Sequence, residues 1–238
     1  MSEENNTDIL NIETKTLKLL DEDCSTAINF DDLNVETTWI SGDEHYIEEY
    51  AACGLDNEAW ASKFKDGKFM LRCLKDDDQR TELKEAKGDE ANLAKYKRMR
   101  FTAKFNNIPT KGVTVAKIHN RAKGVKRPWL RLYLDSDSKF KIKETETDPT
   151  KESSTYSVYT GMEYSPNEEV EITVWTGLNE QEKAKIRIDY NGSRFQETLY
   201  PSSAWLDFEN DYYLKTGVYT EGKDVEVEVV YSAFNIVH

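Results

Sequence analysis

The sequence predicts an all-β fold, a sandwich of antiparallel sheets, and three observations carry that prediction. Apolar and polar residues alternate with a period of two. In RMRFTAKF, Arg98, Arg100, Thr102 and Lys104 interleave with Met99, Phe101, Ala103 and Phe105, the pattern of a strand with one buried face. EVEITVW, KIRIDY and VEVEVVY alternate in the same way. Turn chemistry separates such runs, with DGK at Asp66, NIPTKG at Asn107, SPNEE at Ser165 and NGS at Asn191, residues that supply tight bends. Long helical patterns between the strands, which parallel βαβ units require, are missing from the pattern.

In chain order, residues 1–30 read as a polar extension with one short helix around Leu17 to Leu20, and residues 31–238 as one β domain. The segment from Thr81 to Lys97 is the strongest rival for a helix, but its opening RTELKE alternates and is read as a strand. LDSDS, with Asp135 and Asp137, lacks the rest of a calcium loop and reads as a polar turn.

A chain of 238 residues with 13 Tyr, 9 Phe and 5 Trp can bury a sizeable core. Its apolar runs are too short to span a bilayer as helices, so no membrane partner is expected. The acidic opening MSEENNTDIL has no basic and apolar leader pattern. The chain as written therefore reads as intracellular, or as one whose leader was removed. Cys24, Cys53 and Cys73 show no CxxC spacing and are read as idle thiols, with a Cys53–Cys73 bridge possible only on export. His45, His119 and His238 lie far apart without HxH or HExxH, so no metal site is expected.

Charge is distributed unevenly. Ala91 to Leu134 holds 12 Lys and Arg and no Asp or Glu, against a net charge of -13 for the whole chain. Such asymmetry speaks to partners rather than to fold. Nucleic acid and acidic polysaccharide are the two candidate ligand classes. A general nucleic-acid binder, which would use Trp129 and Tyr133 for stacking, is more often basic overall, whereas this chain has a pI of about 4.8. The expectation is a monomer that binds an acidic polysaccharide, not nucleic acid.

Three segments carry candidate chemistry. Strand periodicity puts Arg80, Glu82 and Lys84 on one face of the first, and Lys117, His119 and Arg121 on one face of the second. In the third, Tyr213, Lys215, Gly217 and Tyr219 share a face. As neighbours in one sheet they would form a cationic floor bearing a histidine and a tyrosine.

In this order, Arg80-Thr-Glu-Leu-Lys84, Lys117-Ile-His119 and Tyr213-Leu-Lys-Thr-Gly-Val-Tyr219 resemble the three motifs of alginate lyases of polysaccharide lyase family 7. PWLRLYLD, IRIDYNG and the closing VEVEVVYSAFNIVH fit as well, so the likeness runs from about residue 30 to residue 238. The resemblance implies a β-jelly roll with substrate across its concave face. It also implies β-elimination at the 1→4 linkage of a uronic-acid polymer, without a cofactor. Arg80 would pair with the substrate carboxylate through its planar fork. His119 would be the base. Tyr213 would donate a proton to O4, with the cationic floor favouring tyrosinate character so that it could also act as base. Lys84, Arg121, Lys215 and Tyr219 would line flanking subsites, and Glu82 would orient Arg80 or Lys84.

The chain departs from the family pattern at Lys117, where the family has glutamine. Lysine there would neutralise the uronate more strongly and disfavour protonation of His119. It could equally signal another uronate, such as glucuronic acid. A third option is that Lys117 points aside and leaves a non-catalytic polysaccharide-binding module. Lys84 in place of arginine, Leu214 and Thr216 are milder departures.

Overall fold

The structure, a computed structural model, describes residue 30 and residues 33–238, apart from 42–43, 53–54, 56–57, 65, 76–78, 146–148, 151–154, 209 and 223. The expected helix near Leu17 to Leu20, Cys24 and Cys53 lie outside the described residues. In chain order the strands are β1 (Leu33–Ser41), β2 (Glu44–Ala51), β3 (Ala61–Lys63), β4 (Phe69–Cys73), β5 (Arg80–Glu85), β6 (Lys97–Asn106), β7 (Val113–Asn120) and β8 (Leu130–Leu134). They continue with β9 (Lys139–Thr145), β10 (Thr155–Glu163), β11 (Val170–Thr176), β12 (Ala184–Tyr190), β13 (Ser193–Leu199), β14 (Tyr212–Tyr219) and β15 (Val227–Val237). One short helix, α1 (Ser203–Leu206), precedes β14.

The strands form two antiparallel sheets, one ordered β10-β9-β8-β7-β14-β5-β1-β2 and the other β13-β12-β11-β6-β15-β4-β3. This is the β-jelly-roll sandwich. RTELKE is indeed a strand, β5, and LDSDS is a turn in which Asp135 Oδ1 accepts the backbone N–H groups of Asp137 and Lys139, a local bond typical of aspartate in turns.

The predicted alternation decides which side chains fill the space between the sheets. Met99, Phe101 and Phe105 of β6 and Val229 and Tyr231 of β15 meet Leu83, Ile118, Leu132, Ile142 and Leu214 from the larger sheet. Tyr231 packs edge-to-face on Phe101 with centroids 5.6 Å apart, and its hydroxyl reaches Thr216 Oγ1 at 3.0 Å. Each buried hydroxyl thereby keeps a partner, as a dry interior demands. A buried ion pair, Lys97 with Glu85 at 3.0 Å, joins β6 of one sheet to β5 of the other.

The folding splits the basic run Ala91 to Leu134. β6 lies in the seven-stranded sheet, and β7 and β8 lie in the eight-stranded one. Arg98 and Arg100 therefore face away from the sandwich on the side opposite Lys117 and His119, where Arg100 pairs with Glu171 at 2.5 Å. A single cationic track along the whole run, as the sequence suggested, does not form. Trp129 is 0% exposed, a core side chain rather than the stacking platform a nucleic-acid binder would use.

Gly217 is the tightest point of the sheet that carries the candidate residues. Its φ is +150°, and a Cβ there would lie 2.4 Å from Thr81 O and 2.6 Å from Glu82 Cα. Only glycine lets β14 approach β5 this closely. Gly217→Ala should destabilise the fold by about 1–3 kcal/mol, the usual range for a strained backbone position. Denaturant unfolding measures this, and an unchanged midpoint would show that the close approach is not required.

Candidate active site

The three segments become neighbours because β14 lies between β7 and β5. Tyr213 stands opposite His119, and Lys215 stands opposite both Lys117 and Lys84. Gly217 faces Glu82 and Tyr219 faces Arg80. Strand pairing thus assembles all nine expected residues except Arg121 on the outer face of the eight-stranded sheet. Arg121 follows β7 directly, and its guanidinium lies 4.5 Å from the Tyr213 ring centroid. It is held there by Glu85 O at 2.8 Å and by the Glu90 carboxylate.

The floor is not simply cationic. Glu36 on β1, which sequence reasoning missed, accepts from Arg80 at 3.1 Å, Lys84 at 2.8 Å and Lys215 at 2.6 Å. Glu82 pairs with Lys117 at 2.9 Å and Lys215 at 2.8 Å. Glu36 thus makes the direct ion pairs to Arg80 and Lys84, while Glu82 acts on Arg80 through its charge. Glu49 adds a second contact to Lys84 at 2.6 Å. Nothing local in the sequence ties Glu36 to RTELKE, because the pairing of β1 with β5 is a matter of topology.

These charges are largely out of water, with Lys215 1%, Glu82 1%, Lys117 4%, Lys84 5% and Glu36 6% exposed. Arg80 and Tyr219 form part of their cover. The Arg80 guanidinium lies 4.7 Å and Lys117 Nζ 4.6 Å from the Tyr219 ring centroid, distances at which a cation gains from the ring face. Buried charges survive only when paired, and here the pairs interlock.

Their protonation follows from the same geometry. Burial opposes ionisation of both carboxyls, but Lys215 and Lys84 hold Glu36 far below the usual carboxylate range. Lys117 and Lys215 bring Glu82 down to about 2. Burial, then the charges of Lys215 and Arg80, lowers Lys117 to about 7 against the pull of Glu82. His119 falls to about 3, through burial first and then Lys117 and Lys215, so its imidazole is neutral at physiological pH. This is the effect expected of Lys117 on the histidine.

Tyr213 behaves differently from expectation. Burial pushes it up to about 12, and Glu36 and Glu82 offset the help that Lys84 and Arg121 give to the anion. A tyrosinate is not favoured, because the hydroxyl is buried and the floor carries carboxylates that offset its cations. The Tyr213 and His119 rings stack at 5.5 Å with planes 19° apart. His119 Nδ1 sits 3.0 Å from Asn120 O and 2.7 Å from Asn120 N, so this nitrogen finds a backbone partner in either tautomer. Asn120 is itself fixed through Phe208 O at 2.9 Å.

A neutral imidazole beside a protonated phenol, above a partly neutralised ion-pair bed, is an arrangement suited to moving one proton off a substrate and another onto it. Glu36→Ala would strip Arg80 of its ion-pair partner and leave Lys84 and Lys215 with one carboxylate each. A loss of ~3–5 kcal/mol is expected for breaking a buried network from one side. Urea unfolding of the variant tests this, and a shift of under about 1 kcal/mol would mean that Glu82 and Glu49 suffice.

Comparison with known proteins places this geometry in context. Residues 30–238 match the family whose description is "Alginate lyase". No curated protein matches the chain significantly. Among solved structures the chain is similar to alginate lyase A1-II', described as a member of polysaccharide lyase family-7. The identity there is 13%, with a TM-score of 0.64 over 87% of this chain and 95% of that one. It is also similar to the alginate lyase from Corynebacterium sp., at 18% identity and a TM-score of 0.62, covering 89% and 96%. Alginate lyase AlyC3 in complex with dimannuronate follows at 15% identity and a TM-score of 0.62, covering 87% and 89%. At these identities the structural likeness shows the shared fold.

Proposed function

The chain belongs to the alginate lyase family, and we propose that it is an active polysaccharide lyase of the family 7 type, cleaving a 1,4-linked polyuronate by β-elimination. The observation that carries the reading is the stacked pair His119 and Tyr213, 5.5 Å between centroids, on the floor formed by Arg80, Lys117 and Lys215. In this reading the uronate carboxylate settles against Arg80 and Lys117, and the loss of its charge acidifies the C5 proton. His119 Nε2, with Nδ1–H donating to Asn120 O, accepts that proton. The C5–H electron pair becomes the C4=C5 double bond as the C4–O4 bond breaks, and the Tyr213 hydroxyl protonates O4. One product carries a 4,5-unsaturated uronate and the other a new O4 hydroxyl. Return of the proton from His119 to Tyr213 restores the site.

The protonation states support these roles. His119, lowered to about 3, is a neutral acceptor, and Tyr213, raised to about 12, holds a proton to give. A depressed imidazole is a weak base, so the site relies on neutralising the developing enolate. Preorganised donors of this kind contribute roughly 3–4 kcal/mol each. Lys84 and Lys215 act from beneath through Glu36 and Glu82, while Arg121 and Tyr219 form the walls of the neighbouring sugar positions. Alginate and glucuronan are the two substrates this reading admits.

A second reading, a polyuronate-binding module without catalysis, is favoured by one observation. Arg80 and Lys117 are already paired with Glu36 and Glu82, and a substrate carboxylate must compete with these. Ultraviolet absorbance during incubation with polymannuronate, polyguluronate and polyglucuronate separates the two, because only elimination creates the conjugated C4=C5 bond. A rise on one polymer is expected, with His119→Ala and Tyr213→Phe each reducing kcat by at least about a hundredfold, the usual scale of acid–base catalysis. Full activity in both variants would refute the assignment.

Lys117 gives a pH test. Its pKa is lowered to about 7, so the free protein carries this charge below that pH and loses it above. If that charge helps to hold the uronate, kcat/KM should fall as pH rises through about 7. Lys117→Gln, which has no such proton, should remove that limb. An identical profile in the variant would assign the limb to another group.

A further inference from the structure

Five cations occupy directly opposed positions on five adjacent strands. Lys84 faces Lys215, Lys215 faces Lys117, Lys117 faces Arg131, and Arg131 faces Lys143, across β5, β14, β7, β8 and β9. Like charges in direct cross-strand opposition repel, so such a row persists only with counter-charges. Glu36 and Glu82 provide them for Lys84, Lys215 and Lys117. The row continues beyond the reach of those carboxylates.

Arg131 and Lys143 make no ion pair among the described residues. Arg131 Nε is buried with no hydrogen-bond partner. Lys143 Nζ rests 3.5 Å from the Tyr133 ring centroid, and burial, then Arg131 and Lys141, lowers its pKa to about 8. Glu221 and Asp135 pull on it only from a distance, and Asp135 is engaged with Lys141 at 3.6 Å. Two residues away on β9, Lys141 stands opposite Tyr133 and lies 5.5 Å from the ring centroid of Tyr159, which is 63% exposed. The opposite flank differs in sign. There β1 and β2 present Glu36 and Glu49 in register, and Lys84 is already shared between them.

Resting on the polyuronate reading, we infer that Arg131 and Lys143 form a second carboxylate site, which takes a uronate further along the polymer on the β8–β9 side of His119. The cleft is one-sided, because on the β1–β2 side Glu36 and Glu49 already occupy the cations. A carboxylate placed between Arg131 and Lys143 relieves their mutual repulsion. Tyr159, exposed at the edge of this site, offers a ring face to the less polar face of the sugar. Substrates long enough to reach β9 therefore gain binding that short ones lack.

The test compares the full chain with the double variant Arg131→Gln/Lys143→Gln, using kcat and KM on the polymer and on the shortest oligouronate turned over. Polymer binding is followed by affinity electrophoresis at low and high salt. KM for polymer should rise at least about tenfold, the scale of losing charge-assisted hydrogen bonds. The kcat on polymer and the kcat/KM on the shortest oligomer should stay unchanged, and the salt dependence of binding should weaken. Lys104→Gln, on β6 in the opposite sheet, serves as the control for losing a cation away from this face and should leave every value unchanged. Should the double variant not fold, Lys143→Met keeps the apolar stem over Tyr133 and carries the test alone. Equal KM and equal binding in variant and wild type would overturn the inference, as would a wild type that shows no salt-sensitive binding of any polyuronate. If the wild type binds polymer but turns none over, and the variant loses that binding, the second site stands and the lyase reading falls. If turnover is robust and the variant is unaffected, the lyase reading stands and the second site falls.

Discussion

The outer face of the eight-stranded sheet depends on two buried carboxylates. Glu36 and Glu82 stand directly opposite one another on β1 and β5 and between them engage Arg80, Lys84, Lys117 and Lys215. Without them the central strands β5, β14 and β7 would bring together three lysines in cross-strand register, an arrangement that Coulomb repulsion and desolvation both oppose. The strand order and the charge pattern are therefore one constraint. Glu36 neutralises this face only because β1 pairs with β5, and the face tolerates its lysines only because Glu36 is there.

That partial internal neutralisation governs the chemistry available. A floor of bare cations would stabilise a tyrosinate and weaken the distinction between acid and base. Burial and the floor's own carboxylates leave Tyr213 protonated, while burial and Lys117 keep His119 neutral. Two adjacent groups with separated proton affinities can divide the tasks of acceptor and donor. The same arrangement sets a condition on binding, because a ligand carboxylate must take over interactions that Glu36 and Glu82 already make. The row of cations then changes character at Arg131, where the internal counter-charges end.

The rest of the molecule holds this face in position. Core side chains from both sheets fix the register of β14 against β7 and β5, and Gly217 permits the close approach to Thr81 and Glu82. Lys97 and Glu85 couple the sheets from within, and the same Glu85 contributes its carbonyl to Arg121, which lies on Tyr213. Packing in the sandwich and placement of the stacked His119 and Tyr213 rings are linked through a single residue of β5.

The sequence by itself determined the all-β sandwich, because period-two alternation and turn chemistry are local properties of the chain. It also determined which side chains of RTELK, KIH and YLKTGVY share a face, since the pleat fixes that within each strand. The resemblance of those motifs to a known family then supplied their order around a site. Only the tertiary structure decided what stood beside them. Glu36 lies 44 residues before Arg80 in the chain, so no local pattern could assign it to the site. The basic run from Ala91 to Leu134 is continuous in sequence, yet the crossing from β6 to β7 carries it from one sheet to the other. The protonation of Tyr213 likewise depends on charges contributed by separate strands. Periodicity is written along the chain, whereas charge balance and burial are sums over neighbours that only the strand order brings together.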